Sequence, residues 1–153
     1  MDNVLIHNWN SVVQPGDTVY HLGDFNLGGR DTEDFLKRLN GTIHLLVGNH
    51  EKRALMVRDR FASVSEVIHA TINCQKMTMC HYAWLTWPDS GRGSWMLHGH
   101  SHGGLPDDPT ALRLDVGVDC WNYTPVSFHQ LRARMATKTY KPIDHHGRTG
   151  ADV

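Results

Sequence analysis

The sequence is poor in cysteine. Its 3 cysteines, Cys74, Cys80 and Cys120, are scattered, odd in number and without CxxC spacing. That pattern argues against a disulfide framework and against a cysteine zinc site, so reduced thiols in a cytoplasmic protein are the expectation. Long apolar runs are missing too, since no stretch approaches the roughly 20 residues of a membrane helix, and no membrane partner is expected. The first residues lack the basic-then-apolar pattern of a secretory leader. Charge of one sign is absent: the formal net charge is -1, so no global field draws the chain toward nucleic acid or membrane. There is no internal repeat, no low-complexity tract and no linker. What the chain has in quantity is histidine, 12 in 153 residues.

That length suffices for one domain with a real core. The expected division is a single domain over 1–137 and a polar, frayed tail over 138–153. The chain opens with a short amphipathic helix capped by Asp2, carrying Val4, Leu5, Trp9 and Val12 or Val13 at helical spacing. Pro15-Gly16-Asp17 turns it into a β-prone run, Thr18 to Leu22, that stops at Gly23-Asp24. A loop at Gly28-Gly29 precedes a helix opened by Asp31 or Thr32 that buries Phe35, Leu36 and Leu39. Asn40-Gly41 leads into a strand over Thr42 to Val47, ending at Gly48-Asn49-His50, with a helix from about Lys52 to Arg60. Val64 to Ile72 and Lys76 to Cys80 read as a hairpin turning near Asn73-Cys74-Gln75. A Trp-rich loop from Trp84 to Gly93, a strand over Ser94 to His98 and another over Ala111 to Val118 follow. Ser127 with Gln130 forms a capping box for a last helix, Phe128 to Met135. Strand-then-helix units followed by β-hairpins predict an α/β layered domain on a mixed sheet.

Ligand-type residues stand in a fixed order on this frame: Gly23-Asp24, Gly48-Asn49-His50-Glu51, a lone His81, and Gly99-His100-Ser101-His102. Carboxylate, amide oxygen and imidazole suit borderline divalent metals. Three of the groups fall where a strand gives way to a loop, which is where open α/β sheets bind ligands. Neighbouring glycines permit tight turns and close backbone approach.

The order GD, GNHE, H, GHSH resembles the calcineurin-like metallophosphoesterase superfamily, and TVYHLGDF and LRLDVGVDCWNYTPV are similar to its small bacterial and phage members. The resemblance implies a layered α/β/β/α sandwich with mixed sheets. It implies Asp24 as a metal-bridging carboxylate, Asn49, His81 and His100 as completing one metal site, and His102 as ligand to the other. His50 would stabilise or protonate the leaving group, and Glu51 would orient His50 or pack behind it. One or two divalent ions (Mn, Fe, Ni or Zn) would activate water for attack on phosphorus. The implied substrate is a phosphoester or nucleotide-like small molecule; nucleic acid as a partner stays open. The superfamily begins with a strand carrying Asp-x-His, and the residues before Asp24 align instead with the helix after it, where His7 is a poor substitute. The expectation is a missing first strand, a weakened site around Asp24 and His102, and an unpaired sheet edge that invites a homo-oligomer or an altered sheet.

Each functional reading has a plainer one beside it. The five ligand candidates could be structural caps after loss of function. His21 and His98 read as residues behind the ligands or within strands; His44, His69 and His129 read as surface or strand histidines, and His145 and His146 as tail residues. Trp84, Trp87 and Trp95 could form a base-stacking platform, but packing under a long loop is favoured. Arg53 and Arg92 read as solvated charge rather than phosphate contacts, and Asp115 and Asp119 as shaping the sheet end. Two functions compete: a metal-dependent phosphoesterase, chiefly a phosphodiesterase, and a degenerate, non-catalytic domain that binds a metal, a phosphate ligand or a partner protein.

Overall fold

The computed structural model describes residues 2–25 and 31–143. The loop at Gly28-Gly29, His145 and His146 lie outside the described residues.

The fold is mixed α/β, with two sheets. Helix α1 (Asp2–Val12) leads to β1 (Thr18–His21), α2 (Thr32–Lys37), β2 (Thr42–Leu46), α3 (Lys52–Leu55) and β3 (Ser63–Ser65). These three strands form a parallel sheet in the order β1-β2-β3. The second sheet has the order β4-β5-β6-β7, from β4 (Val67–Ile72), β5 (Gln75–Cys80), β6 (Trp95–His98) and β7 (Arg113–Asp115). β4 and β5 are antiparallel, whereas β5, β6 and β7 run parallel. The last helix, α4, spans Phe128–Met135.

Local chemistry explains the elements. Asp31 caps α2 by accepting from the Glu33 amide, and Ser127 with Gln130 forms the expected capping box on α4. The hairpin turns through Asn73 and Cys74, both at positive φ (48° and 64°), so Ile72 pairs directly with Gln75. This is the primed-turn geometry whose twist suits adjacent antiparallel strands.

The sequence reading needs five corrections. The strand expected over Ala111 to Val118 is only Arg113–Asp115, and Val118 opens a 3-10 turn, Val118–Cys120. The run Val64 to Ile72 is not one strand: it breaks at Glu66, and its halves join different sheets. The helix expected to reach Arg60 stops at Leu55 and resumes only as a 3-10 turn over Arg58–Arg60, because Ala62 must already donate to the Ile43 carbonyl as β3 begins. α1 buries Ile6 and Trp9, with Val13 buried just past its end, leaving Val4 and Val12 exposed. The start of the expected tail is anchored. The Lys138 ammonium is buried against Asp107 and the Asp108 and Arg113 carbonyls, and the Thr139 and Lys141 amides donate to Pro109 and Thr110.

Alternation along the strands divides the core. Ile43 and Leu45 face α1 and α2, in a cluster with Trp9, Val13, Phe25 and Phe61. Leu22 and Leu46 point the other way, toward Met77, Met79, Leu97 and the α4 residues Leu131 and Met135. Side chains of this size, fully buried, contribute roughly 1.5–3 kcal/mol each. The opposite face of the second sheet, at Cys80 and Met96, is covered by Trp87 and Trp84 from the loop after β5, with no helix over it among the described residues. Trp95 is buried and stacks on Phe128. The tryptophans therefore pack, as favoured. All three cysteines are free thiols. No described helix is long and apolar enough to cross a membrane.

Beside β1 the sheet is open, since no described strand pairs with its second edge. A cleft of about 990 Å³ runs there, between α1, β1 and α4, and one end reaches Asp24, His100 and His102.

Candidate metal centre

Parallel pairing puts the carboxyl ends of β1 and β2 at one edge of the first sheet and those of β5 and β6 at one edge of the second. The residues just past these four ends are Gly23-Asp24, Gly48-Asn49, His81 and Gly99-His100, and they meet. Two hydrogen bonds join the strand ends: His81 Nδ1 donates to the Leu22 carbonyl at 2.7 Å, and the Gly99 amide donates to the His81 carbonyl at 3.1 Å.

The first of these bonds fixes the chemistry of His81. A carbonyl only accepts, so Nδ1 carries the hydrogen and Nε2 is the ring nitrogen left to face the centre. That atom lies 2.9 Å from Asn49 Oδ1, 3.2 Å from His100 Nδ1 and 3.5 Å from Asp24 Oδ2. His100 Nδ1 lies 3.0 Å from the same Asn49 oxygen. Asp24, His81 and His100 each offer a ligand atom, all within 4.8 Å of one another. Acceptor atoms crowded this way repel unless a proton or cation sits among them. An N/O set of this kind fits a divalent transition metal.

Close packing makes the approach feasible. Gly23 has φ +97°, and a Cβ there would stand 2.5 Å from His81 Nδ1. A Cβ on Gly48 would stand 2.3 Å from Asp24 Oδ1. Asp24 and His100 themselves adopt positive φ (56° and 60°), which costs a non-glycine residue about 1–3 kcal/mol. The surroundings hold that strain. Glu51 is 2% exposed, and its carboxylate accepts from the Asp24 amide at 2.6 Å, Gly48 at 2.9 Å and Phe25 at 3.0 Å. It therefore clamps two ligand loops together rather than orienting His50.

His50 is exposed; its amide donates to Asp24 Oδ1 at 2.8 Å, and its ring makes no hydrogen bond among the described residues. His102 is not brought into the cluster. It is exposed, has φ 47°, and its Nδ1 meets Asp119 Oδ2 at 2.5 Å. That hydrogen bond raises its pKa above the ordinary histidine value. Asp115 shapes the neighbouring turn, accepting from the Gly117 and Gly103 amides.

Two further histidines stand behind the centre. His98 is buried, with Nδ1 against the Gly99 carbonyl, and burial lowers its pKa. His21 packs against Phe25 and Trp9, and burial lowers its pKa from 6.5 to about 4. Its Nδ1 is buried without a hydrogen-bond partner. Of the arginines weighed as phosphate contacts, both are exposed, and Arg92 lies 3.8 Å from Asp89. Sequence reasoning missed Tyr82, whose ring lies 5.0 Å from His81 and 4.6 Å from His100 between centroids. Its place directly after a lone histidine was the only available signal.

No family model matches this chain. Among solved structures it is similar to the protein of unknown function AQ665 from Aquifex aeolicus, with a TM-score of 0.66 and 21% identity over 87% of this chain and 84% of that one. That likeness shows the fold alone. The uncharacterized protein MJ1445 of Methanocaldococcus jannaschii is 34% identical over 139 residues, covering 83% of this chain and 70% of MJ1445. Identity at that level over that span means that the chain belongs to the family of MJ1445.

Proposed function

We propose that the chain is a metal-dependent phosphoesterase of the calcineurin-like type, chiefly a phosphodiesterase, built on that superfamily's layered sandwich. The observation that carries this reading is the convergence of Asp24 Oδ2, Asn49 Oδ1, His81 Nε2 and His100 Nδ1 from four strand ends onto one point. The packing of the two sheets across a shared core, with α1 and α2 outside the first, supports the layered architecture.

In this reading Asp24, Asn49, His81 and His100 hold a divalent ion, Mn, Fe, Ni or Zn. A bound ion would supply water activation and charge neutralisation at a phosphoryl group. The chain supplies the rest. Glu51 and the Leu22 carbonyl fix the ligand loops and the His81 tautomer. The His50 ring, free on the exposed side, donates a proton to the leaving oxygen.

The test is Mn-dependent hydrolysis of an aryl phosphodiester before and after Asp24→Asn. Activity that depends on Mn and falls at least about 100-fold in the variant is expected, given that ligand loss removes the activated water; activity unchanged by the substitution sinks the reading. One observation favours the competing, non-catalytic reading: His102 is held by Asp119 rather than joined to Asp24. Elemental analysis after Mn loading and desalting separates the two. About two ions per chain supports a complete hydrolytic centre, and about one supports a single-ion binding domain.

A further inference from the structure

We infer that Tyr82 is a specificity-determining residue of this centre, a shelf on which a nucleobase-like planar group carried by the phosphoester stacks; this rests on the phosphoesterase reading. Three observations carry it. Tyr82 is 48% exposed although it directly follows buried His81. Its ring is held by the metal-site imidazoles, 5.0 Å from His81 and 4.6 Å from His100, at interplanar angles of 78° and 56°. At those angles neither imidazole is stacked parallel on the Tyr82 ring. Of the other aromatics, Trp87 and Trp95 are buried, Trp84 packs in the third cluster, and the Tyr140 hydroxyl is bonded to the Ser90 carbonyl; Tyr123, also 48% exposed, lines the cleft near Asp119 but makes no ring contact with the ligand imidazoles. The Tyr82 hydroxyl has no hydrogen bond among the described residues.

An exposed aromatic ring fixed by two contacts loses little further freedom when a planar group stacks on it. Its place against His100 puts the shelf beside the point where a phosphate would sit. The chain has no excess positive charge to hold a long polyanion. The geometry therefore suits a small molecule with one phosphate and one planar group better than a nucleic-acid strand.

The experiment is calorimetric binding of AMP, ribose 5-phosphate and inorganic phosphate to the Mn-loaded protein, in the wild type, Tyr82→Phe and Tyr82→Leu. Stacking on an aromatic side chain predicts that the wild type prefers AMP over ribose 5-phosphate by about tenfold, that Phe retains this, and that Leu brings it to within about twofold. Phosphate affinity should be equal in all three proteins, because the leucine still packs on the imidazoles. A Tyr82→Leu protein that keeps the preference, or a wild type with none, overturns the shelf and leaves the phosphoesterase reading standing. A Leu variant that weakens inorganic phosphate as much as AMP also overturns it, since Tyr82 would then act only by positioning His100. A wild type that binds no inorganic phosphate overturns both.

Discussion

Glu51→Gln is the sharpest test of how the centre is held together. The side chain is 2% exposed, and its two oxygens accept three backbone amides, Asp24 and Gly48 on one oxygen and Phe25 on the other. Glutamine has the same shape but one acceptor. Its oxygen would keep the pair of bonds, and its NH₂ would then face the Phe25 amide, donor against donor. One bond to a charged acceptor is lost, at about 1.5–3 kcal/mol, and the other two weaken to neutral bonds. A total near 3 kcal/mol corresponds to a fall in Tm of about 6–12 °C for a chain of this size. The same clamp sets the spacing of Asp24 and Asn49, so Mn affinity should fall about 10- to 100-fold. Thermal unfolding of the metal-free protein reads the first effect, and Mn titration reads the second. Wild-type Tm together with wild-type Mn affinity would refute the clamp. A lowered Tm with unchanged affinity would refute only its link to the metal loops.

Other perturbations probe separate parts of the structure. Gly48→Ala places a methyl 2.3 Å from Asp24 Oδ1, so it should weaken Mn binding by at least about tenfold, read by calorimetry, because the ligand itself must move. His21 has a folded pKa of about 4 against 6.5, so the unfolded chain binds more protons between these values. The stability tied to its neutral form is complete above pH 6.5 and is lost as pH falls toward 4, by about 3 kcal/mol in all. Denaturant unfolding should show that loss in the wild type and a flatter profile in His21→Phe; parallel profiles would contradict the assignment. Lys138→Met strands two backbone carbonyls and leaves Asp107 to Arg134 alone, so it should cost about 2 kcal/mol, checked by denaturant midpoint. The open β1 edge beside an apolar cleft predicts self-association, seen as a mass above that of one chain by light scattering; a monomer at every concentration tested would refute it.

The sequence carried the candidate centre to the extent that each ligand sits beside a glycine or at the end of a β-prone run. Asp24, Asn49, His81 and His100 follow β1, β2, β5 and β6, and parallel pairing converts that serial order into one place. Where a residue's role depends on a contact distant in sequence, the local pattern was silent. Nothing near His81 says that its Nδ1 will meet Leu22, 59 residues away, although that bond decides which nitrogen faces the centre. Glu51 looked like a neighbour for His50, but its partners lie mostly in the loop after β1, 26 and 27 residues earlier. Lys138 looked like solvated tail until its partners, 25 to 31 residues back, removed it from water. His102 makes the same point in the opposite direction. An H-x-H spacing on an extended strand would set both rings on one face. Here both positions have left-handed backbone, φ 60° and 47°, so the chain turns between them and the second ring goes to Asp119. Dihedrals of this kind are enforced by surroundings, not by the preference of histidine, because the left-handed region is uncommon for any residue with a Cβ. On the proposed metal reading, the number of ions therefore turns on a backbone conformation that spacing does not encode, and a count of bound Mn per chain tests that conformation as directly as it tests the chemistry.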